Sequence, residues 1–144
     1  MSPERLYPGQ FKLKDSRPTT ESDCYALGMV ILEVLSGRVP YHQFQNTTVM
    51  LMVMRGECPG RPGRPWFTDD LWRTMEQCWS PQLIDRPTIR GIFECLERLA
   101  ITWGPLPPGP EDDGGIVGDE TVSTVSHYRM FRYFIAGVVL RRSL

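Results

Sequence analysis

A chain of 144 residues with 41% apolar and 23% charged side chains has the balance of one soluble globular domain, and 16 basic against 17 acidic residues leave a net charge of −1, which gives no global electrostatic case for binding nucleic acid. The charge is unevenly spread: residues 1–100 hold 12 of each sign, residues 101–126 five acids and no base, and residues 127–144 four bases and no acid. Composition therefore divides the chain into three.

Residues 2–21 carry three prolines, a Pro-Gly pair and scattered charge, which predicts a connecting segment with one short helical turn after Pro3. The run Asp23–Leu35 is apolar nearly all round, too long for an ordinary strand, and stops at Ser36-Gly37; it reads as a buried central helix, with Ser22 or Asp23 capping its first turn. Thr48–Arg55 encloses six consecutive apolar residues, three of them Met, and reads as a short helix. Gly56–Pro65, with three glycines and three prolines, is a loop. Thr68-Asp69-Asp70 then opens an amphipathic helix with Leu71, Trp72, Met75, Cys78 and Trp79 on one face and acids placed to suit the helix dipole. Pro81–Pro87 breaks the pattern. Thr88 caps a last helix in which Ile89, Ile92, Phe93, Leu96 and Leu99 share a face, while Glu94 and Arg98 are spaced to pair outward.

Four helices and no convincing strand make the first hundred residues mainly α. Residues 102–126 read as a flexible acidic Pro/Gly linker, because their composition cannot bury enough apolar surface to offset the entropy of ordering. Residues 127–144 read as a short basic-apolar helix: Tyr133–Leu140 is apolar and is flanked by Arg129, Arg132, Arg141 and Arg142. Eight helical residues span only ~12 Å against a hydrocarbon core of ~30 Å, so no transmembrane segment is expected. Contact of this stretch with an anionic membrane surface is one reading; packing on its own domain, or non-native residues from a mispredicted exon, are the plainer ones.

The four cysteines, Cys24, Cys58, Cys78 and Cys95, contain no C-x-x-C pair, and there are only two histidines, His42 and His127, so a zinc site is not expected. The N-terminus lacks a basic region followed by an apolar stretch, which points to reduced thiols and a cytoplasmic location.

Three separated segments, Ser2-Pro3-Glu4, Asp23-Cys24-Tyr25-Ala26-Leu27-Gly28 and Cys78-Trp79-Ser80-Pro81 with Arg86-Pro87-Thr88, resemble, in order and spacing, a protein kinase catalytic domain from its A-P-E motif onward. Gly37-Arg38-Val39-Pro40-Tyr41 is similar to the G-x-x-P-[FY] segment after that domain's central helix, and the Cys-Trp variant resembles the tyrosine-kinase and tyrosine-kinase-like branch. The resemblance covers residues 1–101 and implies the lower, helical part of a kinase C-lobe. It implies further that Glu4 pairs with Arg86 in a buried ion pair, that Trp79 packs beneath the pair, and that Asp23 holds the backbone of a catalytic loop. Glu4, Asp23, Gly28, Trp79, Arg86 and Pro87 are thus the family's structural positions; without the resemblance, Glu4 and Asp23 would read as a solvated acid and a plain helix cap.

The residues that the family's chemistry requires have no candidates here. No G-x-G-x-x-G occurs, no H-R-D and no D-F-G, and the only lysines, Lys12 and Lys14, lie outside any V-A-I-K context. Phosphoryl transfer needs magnesium-binding acid and amide groups, a residue that orients the nucleophile and a lysine on the nucleotide. The expectation is a kinase-domain fragment with no catalytic, cofactor-binding or metal residues of its own, ATP and magnesium belonging to the full-length family. Met1-Ser2-Pro3-Glu4 looks like the family's W-M-S-P-E begun at its internal methionine; a start inside a longer coding region and a real truncated product would look the same in the sequence. Its partner would be a protein substrate or another protein, and the rival reading is a kinase-derived interaction module using a surface that includes Val49–Met54.

Overall fold

The computed structural model describes residues 1–102. The expected acidic linker and basic-apolar helix lie outside the described residues, apart from Thr102, which ends the last helix. In chain order the elements are α1 (Pro3–Leu6), a 3-10 turn (Pro8–Phe11), α2 (Thr20–Ser36), α3 (Asn46–Met54), α4 (Asp69–Cys78), a second 3-10 turn (Leu83–Asp85) and α5 (Ile89–Thr102). No strand occurs among the described residues.

The central helix begins earlier than the sequence suggested. Thr19, not Ser22 or Asp23, is the cap: its hydroxyl accepts from the Ser22 N–H at 3.2 Å, and the Ser22 hydroxyl accepts from the Thr19 N–H at 2.9 Å. This is a reciprocal capping box with serine in the place usually held by Glu or Gln. Gly37, at φ 71°, ends the helix in the left-handed conformation that glycine adopts without a Cβ penalty, and its N–H donates to the Glu33 carbonyl at 2.9 Å.

Nor is α2 buried all round. Ile31, Leu32 and Leu35 are sealed beneath the neighbouring helices, but Ala26, Val30 and Glu33, at i, i+4 and i+7, form an open stripe on which Val30 is 53% exposed. The reason is topological: α4 packs along one side of α2 and α5 packs on α4, so the apolar cover is one-sided.

The core is built where these helices meet. Leu71, Trp72, Met75 and Cys78 of α4 face Ile92, Cys95, Leu96 and Leu99 of α5, all of them buried. Phe67, Trp72 and Trp79 meet edge to face, with ring centroids 6.2 and 5.7 Å apart in succession. Thr68 caps α4 through the Leu71 N–H and Thr88 caps α5 through the Gly91 N–H. The outward pair on α5 is Arg90 with Glu94 at 2.9 Å rather than Glu94 with Arg98. Packing of α5 on α4 brings Arg98 to within 3.9 Å of Asp70 instead. Helix α3 starts at Asn46, two residues before the expected start, and packs on α1; it buries Val53 but leaves Met50 and Leu51 about half exposed.

Candidate functional site

Pro3 opens α1 in the position where its lack of an N–H costs nothing, and the single turn that follows sets Glu4 inward. Arg86 stands just after the second 3-10 turn, in extended backbone that aims its side chain back across the molecule. The two residues, 82 apart in sequence, form a bidentate ion pair with Arg86 Nη1 2.8 Å from Glu4 Oε1 and Nη2 2.9 Å from Oε2. Both side chains are essentially without solvent contact. Two further guanidinium N–H groups are used as well: Nε donates to the Ser80 carbonyl at 3.0 Å and Nη1 to the Glu21 carbonyl at 2.9 Å. The Tyr25 ring lies 5.2 Å from the guanidinium carbon. One arginine thus ties together α1, the start of α2 and the turn after α4.

Burial disfavours the Glu4 carboxylate, but the Arg86 hydrogen bonds, with help from backbone hydrogen bonding, outweigh it and hold its pKa below the usual carboxylate value. Burial likewise pushes the Tyr25 and Tyr41 phenols upward.

Trp79 is buried beside this clasp with its indole N–H unpartnered, and Gly28 of α2 is the residue that makes room for it. A Cβ at position 28 would lie 2.8 Å from both Trp79 Nε1 and Cys78 Cβ. Cys24 donates to the Pro87 carbonyl at 3.1 Å, which anchors the Arg-Pro segment on α2. Hydrogen bonding to Cys24, together with burial, pushes the Cys78 thiol far above the ordinary thiol range. Cys95 is buried too and Cys58 is exposed; all four cysteines are free. Glu4, Gly28, Trp79, Arg86 and Pro87 therefore share one neighbourhood, whereas Asp23 points outward from the first turn of α2 and is exposed.

Sequence reasoning passed over a second place. A cleft of about 410 Å³ lies between the end of α2, the segment after it and the loop before α4, and Arg38, His42, Arg61 and Arg64 line it. The available signal was the doubled triplet Gly60-Arg61-Pro62-Gly63-Arg64-Pro65. Arg61 donates to Asp69 at 2.7 Å and to the Phe67 carbonyl. Arg64 lies 5.9 Å over the Trp66 ring, and Trp66 donates to the Leu35 carbonyl at 3.0 Å. No carboxylate lines this cleft, and among the described residues no three His, Cys, Asp or Glu side chains converge as metal ligands. Magnesium requires oxygen donors in near-octahedral array, so these residues do not fit a magnesium–nucleotide complex. Among the described residues no helix is long and apolar enough to cross a membrane.

Comparison with known proteins agrees with this architecture. A family model described as protein tyrosine and serine/threonine kinase matches residues 2–96. The chain is 32% identical over 99 residues to the zebrafish (Danio rerio) tyrosine-protein kinase receptor TYRO3, covering 68% of this chain and 11% of that protein. It is 37% identical over 99 residues to the human proto-oncogene tyrosine-protein kinase ROS, covering 67% of this chain and 4% of that protein. To the Drosophila melanogaster tyrosine-protein kinase Src64B it is 26% identical over 102 residues, covering 70% of this chain and 17% of that protein. The chain thus spans less than a fifth of the length of each of these relatives. That family normally uses ATP and magnesium and acts on protein substrates, and its match here extends over about two thirds of the sequence: the chain belongs to the protein tyrosine and serine/threonine kinase family and covers part of the kinase domain.

Proposed function

We propose that residues 1–101 are the helical lower part of a tyrosine-kinase-type catalytic domain, and that this chain by itself transfers no phosphoryl group. The observation that carries the reading is the Glu4–Arg86 clasp, a buried bidentate pair in which the first turn of the chain and the Arg-Pro segment hold each other across α2. Its work is positional. It fixes the direction in which the chain enters α1, and by capturing the Glu21 and Ser80 carbonyls it locks that entry to α2 and to the turn after α4. In a longer kinase this would set the segment leading into α1 against the floor of the domain, while Asp23, exposed on α2, would be available to a loop supplied by the upstream chain. Phosphoryl transfer itself is positioning and electrostatic stabilisation of a charged transition state, and the side chains that would provide it have no counterparts in this sequence.

The test is direct. Purified full-length chain, incubated with labelled ATP, magnesium and a tyrosine-containing copolymer, should incorporate no label above a boiled control. Incorporation by the wild type that Glu4→Gln abolishes would overturn the reading.

A second reading, a kinase-derived module that binds another protein, is favoured by one observation: an apolar hollow of about 260 Å³ between α1, α2 and α3, lined by Leu6, Met29, Val49 and Met50 among others. Methionine-bearing surfaces adapt to partners. Coding sequence upstream of Met1 separates the two, since in-frame G-x-G-x-x-G, V-A-I-K, H-R-D and D-F-G would favour the first and a stop codon the second.

A further inference from the structure

The chain between α1 and α2 carries a chemistry that neither the clasp nor the helix packing uses. From Arg5 to Thr20 it holds four cations, Arg5, Lys12, Lys14 and Arg17, against one acid, Asp15, and Ser16 stands among them. Lys12, Lys14, Ser16, Arg17 and Pro18 are all exposed. From Lys14 to Pro18 the backbone makes no hydrogen bond to the backbone of any described residue. This stretch can therefore lie extended in the cleft of another protein without costing α1 or α2 a hydrogen bond.

Ser16 already has a guanidinium at its side. Its carbonyl accepts from Arg5 Nε at 3.2 Å, a contact that spans 11 residues, while its hydroxyl engages no described residue. On the other flank Arg17 is held by Asp15, through Nε at 2.8 Å and the backbone N–H at 3.0 Å. A phosphate on Ser16 would arise beside these two guanidinium groups, and arginine takes phosphate oxygens in pairs through its planar fork of donors.

We propose that Ser16 is a phosphorylation site for a separate serine kinase that reads basic residues, and that the phosphoserine so formed is held by Arg5, tying α1 to the approach to α2. In the transfer, Ser16 Oγ bonds to the γ-phosphorus of ATP, the bond from that phosphorus to the ADP oxygen breaks, and the hydroxyl proton passes to the base of the transferring kinase. The product carries close to two negative charges at neutral pH, which offset most of the surplus of cations between Arg5 and Thr20. Lys12 and Lys14, exposed four and two residues before the acceptor, supply the selectivity: they complement an acidic substrate groove and repel a basic one. The tie joins the same two elements that Arg86 joins from inside through Glu4 and the Glu21 carbonyl. Phosphorylation would thus fasten the clasp region from its exposed side.

The test incubates the full chain with magnesium, labelled ATP and the catalytic fragment of a basophilic serine kinase of the protein kinase C type, with an acid-directed kinase of the casein kinase type in parallel. Sites are mapped by mass spectrometry, because Arg141-Arg142-Ser143 offers a second serine behind basic residues. The basophilic enzyme should label Ser16 in the folded protein and the acid-directed one should not, and Lys12→Gln with Lys14→Gln should slow the labelling of Ser16 by about tenfold. In the phosphorylated chain the Leu6 and Tyr7 amides, which close α1, should exchange with deuterium roughly two- to fivefold more slowly. Arg5→Gln should remove that protection. Absence of label, label confined to Ser143, Thr19 or Thr20, label on Ser16 only after heat denaturation, or a rate indifferent to the two lysines would overturn the site. Exchange in α1 that phosphorylation leaves unchanged, or protection that survives Arg5→Gln, would overturn the tie.

Discussion

At Glu4 the carboxylate has given up its water for two guanidinium hydrogen bonds at 2.8 and 2.9 Å. Removing one partner from such a site leaves a buried, uncompensated charge, at a cost of about 3–5 kcal/mol. In a domain of about 100 residues each kcal/mol is worth roughly 4–8 °C in melting temperature. Glu4→Gln should therefore lower the melting temperature by more than about 12 °C by calorimetry, whereas Glu33→Gln on the open stripe of α2 should move it little. Equal shifts would show that the clasp bears no special load. Replacing both partners by apolar residues should recover only part of the loss, because Arg86 also satisfies the Ser80 and Glu21 carbonyls. The same pair sets an acid limit. Since the folded pKa of Glu4 is depressed, the unfolded chain takes up the proton first as pH falls below about 4.5. The contribution of the pair is full above that pH and is lost as the pH drops through the folded value. Chemical denaturation between pH 7 and pH 3 should show this loss in the wild type and a flatter profile in Glu4→Gln; parallel profiles would count against the assignment.

At the scale of elements, close approach decides more than propensity. Gly28 lets α2 come against Cys78 and Trp79, and the Cβ of Gly28→Ala would meet atoms on both residues at 2.8 Å. Alanine is the better helix former, yet overpacking here should cost about 1–3 kcal/mol. A melt of Gly28→Ala equal to or higher than wild type would show that the α2–α4 contact is looser than described. Helix existence was legible in the sequence because periodicity and caps agree at Thr68 and Thr88. The start of α2 was not, because a capping box is read from Glu or Gln at its third helical position, and Ser22 fills that place by returning its hydroxyl to the Thr19 N–H. The open stripe at Val30 was hidden as well: where a run is apolar on every face, pattern cannot say which face the neighbours cover. Glu94 has arginines four residues away on both sides, and only the packing of α5 on α4, which takes Arg98 to Asp70, decides between them.

For the whole molecule, the joining of residues 82 apart into the clasp lies beyond any local signal, and only the resemblance of the Ser-Pro-Glu and Arg-Pro segments to a known family pointed to it. The basic cleft draws on residues 38 and 61–64, which are unremarkable until the end of α2 and the loop before α4 are side by side. What results is a layered helical unit with a continuous buried core, one open stripe on α2, and, among its described residues, no group of three His, Cys, Asp or Glu side chains placed to hold a metal ion. A ligand present at a hundred times its dissociation constant stabilises the folded state by about 2.7 kcal/mol, and enzymes commonly have Michaelis constants from about 1 μM to 1 mM. The most direct measurement is therefore the thermal melt of the full chain with and without ATP and magnesium at millimolar concentration. The account predicts one cooperative transition whose midpoint nucleotide leaves unmoved; a midpoint raised by ATP–magnesium and not by magnesium alone would contradict it.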